Sequence, residues 1–476
     1  MATKITIDPV TRIEGHLKIE VTVDSVGGLQ KIVDARASGT LFRGFETVLA
    51  GRDPHDAPHI TSRICGVCPT SHAVVATEAL DAALGADPPD NARLLRNLVL
   101  GADFIHSHIL HFYHLAVLDY VAGPGMAPWQ PAPTSDLRFD AATTAALVEH
   151  YGRALEARRQ AHEMGAVFGG RLPMTPAFTA GGFTAAPTVD AIARFRKLLE
   201  AVTDFVRNVY LPDVAALAAR YPDYLQMGSG PGNLLAFGVF DEDAQGTTKL
   251  LRRGLLYRGS SAVRPVDPAL VKEDVRNSWY SGADGVNPAQ GTTVPAYPKN
   301  AAYSWIKAPR YQGDVFEVGP LARMKVNGDY TGNVSVVDRH WARADETLKI
   351  AEACRVWLDQ LVPSGSAFRQ PPRRTTGTGI GLGEAPRGAL AHWMSFRENR
   401  LSRYQVVTPT CWNASPRDAS GQPGAIEQAL IGTPVQDVAE PIEALRIVHS
   451  FDPCLACAVH VLRPGGTPVA VLNGAW

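Results

Sequence analysis

Apolar positions along this chain switch between two periods, and the switches predict its elements. Leu17-Lys18-Ile19-Glu20-Val21-Thr22-Val23 alternates apolar and polar, Gly27-Gly28 supplies a turn, and Leu29–Ala37 returns. Residues 4–37 therefore read as strands, with a hairpin at the glycines. Just ahead of the hairpin, Arg12, Glu14 and His16 alternate with other residues, which as a strand places them on one solvated face. From Ser71 the period turns helical through Val74, Val75, Ala79, Leu80, Ala83 and Leu84, so Cys68 falls on a loop just before a helix N-terminus. Pro88-Pro89-Asp90 caps a long apolar helix, Asn91–Val121, which Ala122-Gly123-Pro124-Gly125 ends. Helical patterns recur over 141–167, 188–220 and Asp338–Val362, and over about Pro434–Ser450. Residues 222–335 read as strands and loops over a helical core, 364–388 as a Gly/Pro/Arg-rich connection, and Tyr404–Asp418 as strand and turn.

Composition narrows the class. The chain has 476 residues, 45% hydrophobic and 20% charged, ample for a large globular core. Lys+Arg 46 against Asp+Glu 47 leaves a net charge of -1, which gives no electrostatic case for nucleic acid or an anionic membrane. No run of roughly 18 apolar residues is present to span a bilayer. The N-terminus lacks the apolar segment of a signal peptide, so synthesis in the cytoplasm is expected.

Six cysteines in a chain of this length do not make a disulfide scaffold. Four form two Cys-x-x-Cys pairs near opposite ends, Cys65/Cys68 and Cys454/Cys457, each followed by a histidine, His72 or His460. If the fold joins the pairs, four thiolates surround one point, and soft sulfur ligands favour nickel, iron, zinc or copper over magnesium or calcium. Spacing alone leaves open a catalytic metal, a structural zinc and a pair of redox dithiols. The long separation favours one domain whose ends close on each other. Cys354, inside a helical pattern, reads as core; Cys411 stays open between inert core and a thiol near the site. His106, His108, His111 and His114 lie along the long apolar helix. A metal face is conceivable there, but satisfied core histidines are the simpler reading.

Longer motifs carry more. Arg63-x-Cys65-Gly66-x-Cys68-x-x-x-His72 with Asp452-Pro453-Cys454-x-x-Cys457-x-x-His460 resembles the two signature motifs of nickel–iron hydrogenase large subunits. The resemblance extends through 8–16, 42–46, 51–54, 111–115, 317–323, 384–388 and 412–418, nearly the whole chain. It implies an α+β, mainly α fold: a long-helix bundle around a buried metal site, with peripheral β hairpins and sheets. One domain would span 1–476, with an N-terminal β region over 1–60. By resemblance, Cys65 and Cys454 are terminal nickel ligands, and Cys68 and Cys457 bridge nickel to an iron carrying carbonyl and cyanide. Arg387 stands over the open position and pairs with Asp452. Glu14 takes the proton beyond the terminal cysteine, and His72 supports a bridging thiolate. Pro386, Pro409 and Thr410 line the cofactor, while Glu46 and His460 hold a hard metal, usually magnesium.

Departures from the family pattern fall at Ser107, where Asp is common, at Met174, where His is common, and at Cys411, where Thr is usual. Residues 461–476 resemble an extension that a dedicated endopeptidase removes after His460 during maturation. No cysteines remain for iron–sulfur clusters, so the resemblance implies a cluster-bearing small subunit as partner, with maturation chaperones and H2 as substrate. The mature complex is then membrane-associated or periplasmic if a small subunit bearing a signal exports it, and otherwise cytoplasmic. The reading is an uptake hydrogenase feeding a respiratory chain. The alternatives are an H2-sensing regulatory subunit and, more remotely, a structural four-cysteine zinc protein.

Overall fold

The computed structural model describes residues 2–458, with side chains through 456. Cys457 as a ligand, His460 and the 461–476 extension lie outside the described residues and side chains.

An antiparallel sheet opens the chain: Thr3–Ile7 (β1), Leu17–Val26 (β2) and Leu29–Gly39 (β3), in the order β1-β2-β3. Alternation in β2 buries Leu17, Ile19, Val21 and Val23 on one face, as its period requires. The expected β region over 1–60 stops at Gly39; beyond it two short helices form, Phe45–Leu49 (α1) and Ala57–Thr61 (α2). Nor do Arg12, Glu14 and His16 form a strand face. Arg12 and Gly15 take left-handed backbone (φ 56° and 84°), which breaks the alternation and sends the side chains to different partners.

The helical layer follows: Pro69–Leu84 (α3), Asp90–Leu110 (α4), Ala141–Gly169 (α5), Val189–Phe205 (α6) and Leu211–Arg220 (α7). Asp140 and Thr188 cap α5 and α6 with their side chains. The expected helix Asn91–Val121 keeps α pitch to Leu110 and then widens into a π turn, His111–Ala116. Another π turn, Val206–Tyr210, precedes α7, where Pro212 lacks the N–H that a continuous helix needs. Residues 222–335 are strand and loop as expected. They hold paired short strands Leu234–Ala236, Val239–Asp241, Lys249–Leu251, Gly254–Leu256, Val271–Asp274 and Ala308–Tyr311, plus one helix, Pro320–Asn327 (α8). Ser335 caps the long helix Val336–Gln360 (α9), which packs on α4 and α6 while α5 packs on α4.

The sequence reading of 364–388 as a connection is corrected. Thr376–Ala385 (β4) pairs with Gly388–Arg397 (β5), which pairs with Arg400–Val407 (β6), an antiparallel sheet in that order. Strand β4 reads as a loop because Gly377, Gly379, Gly381 and Gly383 occupy alternate positions. The glycines let the strand lie against the α3 backbone: an added Cβ would come within 2.6 Å of the Ala83 carbonyl oxygen, 2.0 Å of that of Ala79 and 2.1 Å of that of Val75. Two residues of strand advance about 6.7 Å and four of helix about 6 Å, so the two repeats run in step. Pro409–Asn413 (α10), Ala425–Leu430 (α11), Ile442–Ser450 (α12) and Leu455–Ala458 (α13) complete the described chain. Helix α12 starts eight residues later than the pattern suggested, after Pro441. The class is mixed α/β. No helix among the described residues is long and apolar enough to cross a membrane.

Candidate metal centre

The two cysteine motifs meet although they lie at opposite ends of the sequence. Cys68 sits at the N-cap of α3, and the amides of Val67 and Cys68 both donate to Cys65 Sγ at 3.2 Å. Amides at a helix start stabilise thiolate over thiol. At the other end Asp452 takes a left-handed backbone (φ 54°) that turns the chain out of α12. The Cys454 amide then donates to Thr410 Oγ1 at 2.9 Å, and the Leu455 amide to the Glu14 carbonyl at 2.6 Å. Gly15 is needed at this junction: a Cβ there would lie 2.5 Å from the Ala456 nitrogen. Segment 8–16 is thus a clamp on the C-terminal motif. Cys65 Sγ and Cys454 Sγ stand 3.3 Å apart, and with Cys68 Sγ all three lie within 4.8 Å of one another, each at most 1% exposed. Among the described residues no other group of three such side chains could hold a metal.

Arg387 borders the cluster at the tip of the β4–β5 hairpin, 2% exposed. Its Nη2 lies 2.9 Å from Asp452 Oδ1, and Nη1 donates to Ser107 Oγ at 3.4 Å. Burial works against its charge, yet Asp452 and the sulfurs of Cys454, Cys68 and Cys65 hold the guanidinium well above its ordinary pKa. Arg387 Nε and Asp452 Oδ2 have no hydrogen-bond partner among the described residues.

Sequence reasoning missed what holds that tip. Arg323 on α8 spends all five N–H donors around it: two on Glu346, one on Glu384 and one each on the carbonyls of Ala385 and Pro386, at 2.6 to 3.0 Å. Glu346 also meets His108 Nε2 at 2.8 Å. Burial opposes its charge, but Arg323 draws the Glu346 carboxyl down to about 2. A fully satisfied buried network of this kind rigidifies whatever it carries. The motifs around Glu317–Arg323 and Glu384–Gly388 were visible in sequence, but nothing local joined Arg323 to Glu346 on α9.

The remaining candidates separate into near and far. Glu14 is half-buried with Oε1 3.5 Å from the Gly66 amide, beside the Cys65 loop. His72 is buried in α3, its Nδ1 3.2 Å from His392 Nε2, and His392 Nδ1 meets the Tyr404 hydroxyl at 2.7 Å. Pro409 and Thr410 open α10 against Cys454. Glu46 lies apart in a buried polar cluster. It accepts from the Val406 amide at 3.0 Å and from Thr293 Oγ1, close to the Lys307–Glu273 ion pair. Cys411 is a buried thiol that burial pushes up to about 12, and Thr408 Oγ1 donates to its sulfur at 3.3 Å. Burial likewise raises the Cys354 thiol far above its ordinary value, as a core residue requires. Met174, at φ 62°, receives the Arg63 guanidinium on its sulfur.

The reading of satisfied core histidines on the long helix holds only in part. His111 Nε2 meets the His449 carbonyl at 2.6 Å and His106 Nδ1 meets His162 Nε2 at 3.3 Å, but His106, His108, His111 and His114 each keep a buried ring nitrogen with no hydrogen-bond partner among the described residues. His114 packs edge-on against Tyr151.

Clustered buried thiols backed by amides and a fixed guanidinium suit a soft metal with anionic or π-acceptor ligands, and suit magnesium or calcium poorly. The comparisons agree. A family model described as nickel-dependent hydrogenase matches residues 43–144 and 126–460. The periplasmic [NiFeSe] hydrogenase large subunit of Desulfomicrobium baculatum is 43% identical, covering 97% of this chain and 95% of its own. The uptake hydrogenase large subunit of Bradyrhizobium diazoefficiens is 33% identical, over 98% and 96%. Among solved structures, the reduced Ni-Fe-Se hydrogenase of D. vulgaris Hildenborough matches with a TM-score of 0.93 at 43% identity, covering 97% of this chain and 100% of that one. The chain therefore belongs to the nickel-dependent hydrogenase family, as a large subunit of these oxidoreductases that act on hydrogen.

Proposed function

We propose that the chain is the catalytic large subunit of a nickel–iron hydrogenase that converts H2 reversibly into two protons and two electrons. The observation that carries this is three cysteine sulfurs within 4.8 Å of one another, bordered by the buried Arg387–Asp452 pair. Cys65, Cys68, Cys454 and Cys457 would hold the nickel–iron centre, whose iron would carry carbonyl and cyanide. When bound, the centre supplies a soft acid at which H2 polarises and splits heterolytically.

The chain's own residues then position charge and move protons. The thiolate of Cys454 accepts a proton at sulfur, and Glu14 takes it onward, a task suited to a half-buried carboxylate beside the Cys65 loop. Arg387 presents a fixed positive charge in a water-poor pocket; Asp452 orients it, Ser107 accepts one of its N–H groups, and Arg323 fixes the hairpin that carries it. His72, steadied by His392, would orient one of the thiolates that hold the centre. Thr410 accepts a hydrogen bond from the Cys454 amide and, with Pro409 and Pro386, would line the centre. Glu46 with His460 would hold magnesium or another hard divalent ion. The helices that carry Cys68, Ser107 and Glu346 we read as the bundle enclosing the centre, within one domain over 1–476. The relatives from D. baculatum and D. vulgaris are named for selenium as well as nickel and iron. This chain has cysteine at all four positions, so we read its centre as all-sulfur.

Electrons leave through a cluster-bearing small subunit to a respiratory acceptor. The uptake role is supported by the likeness to the B. diazoefficiens large subunit, and export with a signal-bearing small subunit by the periplasmic relative. Maturation chaperones load the centre, and an endopeptidase then removes 461–476. The test is H2-dependent dye reduction by the chain co-produced with its small subunit. Glu14→Gln is expected to lower turnover about 10²-fold or more with nickel content unchanged. Loss of nickel in that variant would remove Glu14 from proton transfer.

A further inference from the structure

We infer that Asp103, His106 and His162 form a proton path from the Cys65 side of the centre to the surface, distinct from Glu14; this rests on the hydrogenase reading above. Asp103 and His106 lie one turn apart on α4, 0% and 2% exposed, against the first turn of α3 that follows the Cys65–Cys68 loop. Ser71 Oγ donates to Asp103 Oδ2 at 3.2 Å. Asp103 Oδ1 stands 3.5 Å from His106 Nε2, and His106 Nδ1 stands 3.3 Å from His162 Nε2, the two rings edge to face at 4.3 Å. His162, on α5, is half-buried, so the file begins beside the cysteine loop and ends toward water.

Two features separate this file from ordinary core polarity. Asp103 Oδ1 and His106 Nε2 face each other and have no hydrogen-bond partner among the described residues. A buried polar atom left so is destabilising unless it serves a purpose. The site has also lost a charge at Ser107, one turn further along α4, while Asp103 supplies one.

The electrostatics fit transfer. Burial first, then the Cys65 sulfur, raises the Asp103 carboxyl to about 7, against a hydrogen bond from Ser71. Burial, Arg158 and Arg387 bring His106 down to about 3, with the Cys65 sulfur acting the other way. Burial, His106 and Arg158 bring His162 to about 4, against Asp103 and the Leu172 carbonyl. Both imidazoles are thus neutral near pH 7 and pass a proton by accepting at one nitrogen and releasing from the other. In the first step the O–H bond of Ser71 breaks as an O–H bond forms on Asp103 Oδ2, 3.2 Å away, and Ser71 regains a proton from the side of the cysteine loop. Asp103 then protonates His106 Nε2 while the Nδ1 proton leaves for His162 Nε2, and His162 releases a proton to water. One proton exits and no electron moves.

The experiment is isotope exchange between D2 and water by the intact two-subunit complex, read as HD and H2 released across pH, with a carboxyl infrared titration of the same samples. In a Glu14→Gln background, residual exchange is expected to fall at least about tenfold further on adding Asp103→Asn or His162→Gln, and to return with Asp103→Glu. A protonated-carboxyl band that titrates in the wild type is expected to vanish in Asp103→Asn, a readout independent of turnover. The path is overturned if exchange in the Glu14→Gln background is indifferent to both substitutions, or if that background exchanges nothing. A wild-type complex that holds nickel yet exchanges nothing overturns the hydrogenase reading itself.

Discussion

Arg387 keeps its charge in the interior only because acid and sulfur surround it. Its pairing with Asp452 was legible in sequence, because the motifs that contain both residues are short and distinctive. Glu14 was legible only through the longer motif; its alternation with Arg12 and His16 pointed instead to a solvated strand. The structure separates the three. Arg12 binds the Leu115 carbonyl and Asp119, at 2.6 and 2.5 Å, while Glu14 turns to the Cys65 loop. Arg323 was not legible, since its partners lie on two elements, α9 and the β4–β5 hairpin, and no local pattern links them to α8. For Arg387→Lys, a lysine keeps the charge but loses the planar fork. Turnover is expected to fall about 10²-fold while nickel content and folding are retained, checked by dye reduction and metal analysis on the same sample. Unchanged turnover would show that charge without geometry is enough.

At the scale of elements, long helices were the most readable feature. The patterns over 141–167 and Asp338–Val362 correspond to Ala141–Gly169 and Val336–Gln360. Errors came where one residue type serves packing rather than local conformation. Alternate glycines in β4 look like a loop, yet they bring the strand into contact with α3, and β4 carries Pro386 and Arg387 at its end. Gly379→Ala puts a methyl group 2.0 Å from the Ala79 carbonyl oxygen, so the strand must move off the helix. A loss of about 1–3 kcal/mol in urea unfolding is expected, with turnover falling because the hairpin tip shifts. The same substitution at Gly125, where an added Cβ meets nothing within 4 Å and φ is not positive, makes a control for the change of residue type alone. Equal losses at the two sites would show that contact with α3 does not matter.

Across the whole molecule, buried ion pairs join α8, α9 and the β4–β5 hairpin, a hydrogen bond from His108 adds α4, and the pH response follows from their signs. Glu346 has its folded pKa depressed from 4.5 to about 2, so its pairing with Arg323 contributes fully above about pH 4.5. That contribution, about 3 kcal/mol, is lost as pH falls through 4.5 toward 2. Urea midpoints of wild type are expected to drop more between pH 6 and pH 3 than those of Glu346→Gln, which has no carboxylate to protonate there. A parallel drop in both would place the acid sensitivity elsewhere.

The chain's two ends close on one point, and what they hold there is tested most directly by metal analysis joined to infrared spectroscopy. The sample is the two-subunit complex, co-produced with the maturation machinery and with its extension removed. Nickel and iron in equal amounts, with carbonyl and cyanide stretches, are expected for a centre held by Cys65, Cys68, Cys454 and Cys457. Zinc alone, with no such bands in protein whose extension had been removed, would contradict the catalytic centre and leave four cysteines around a structural metal.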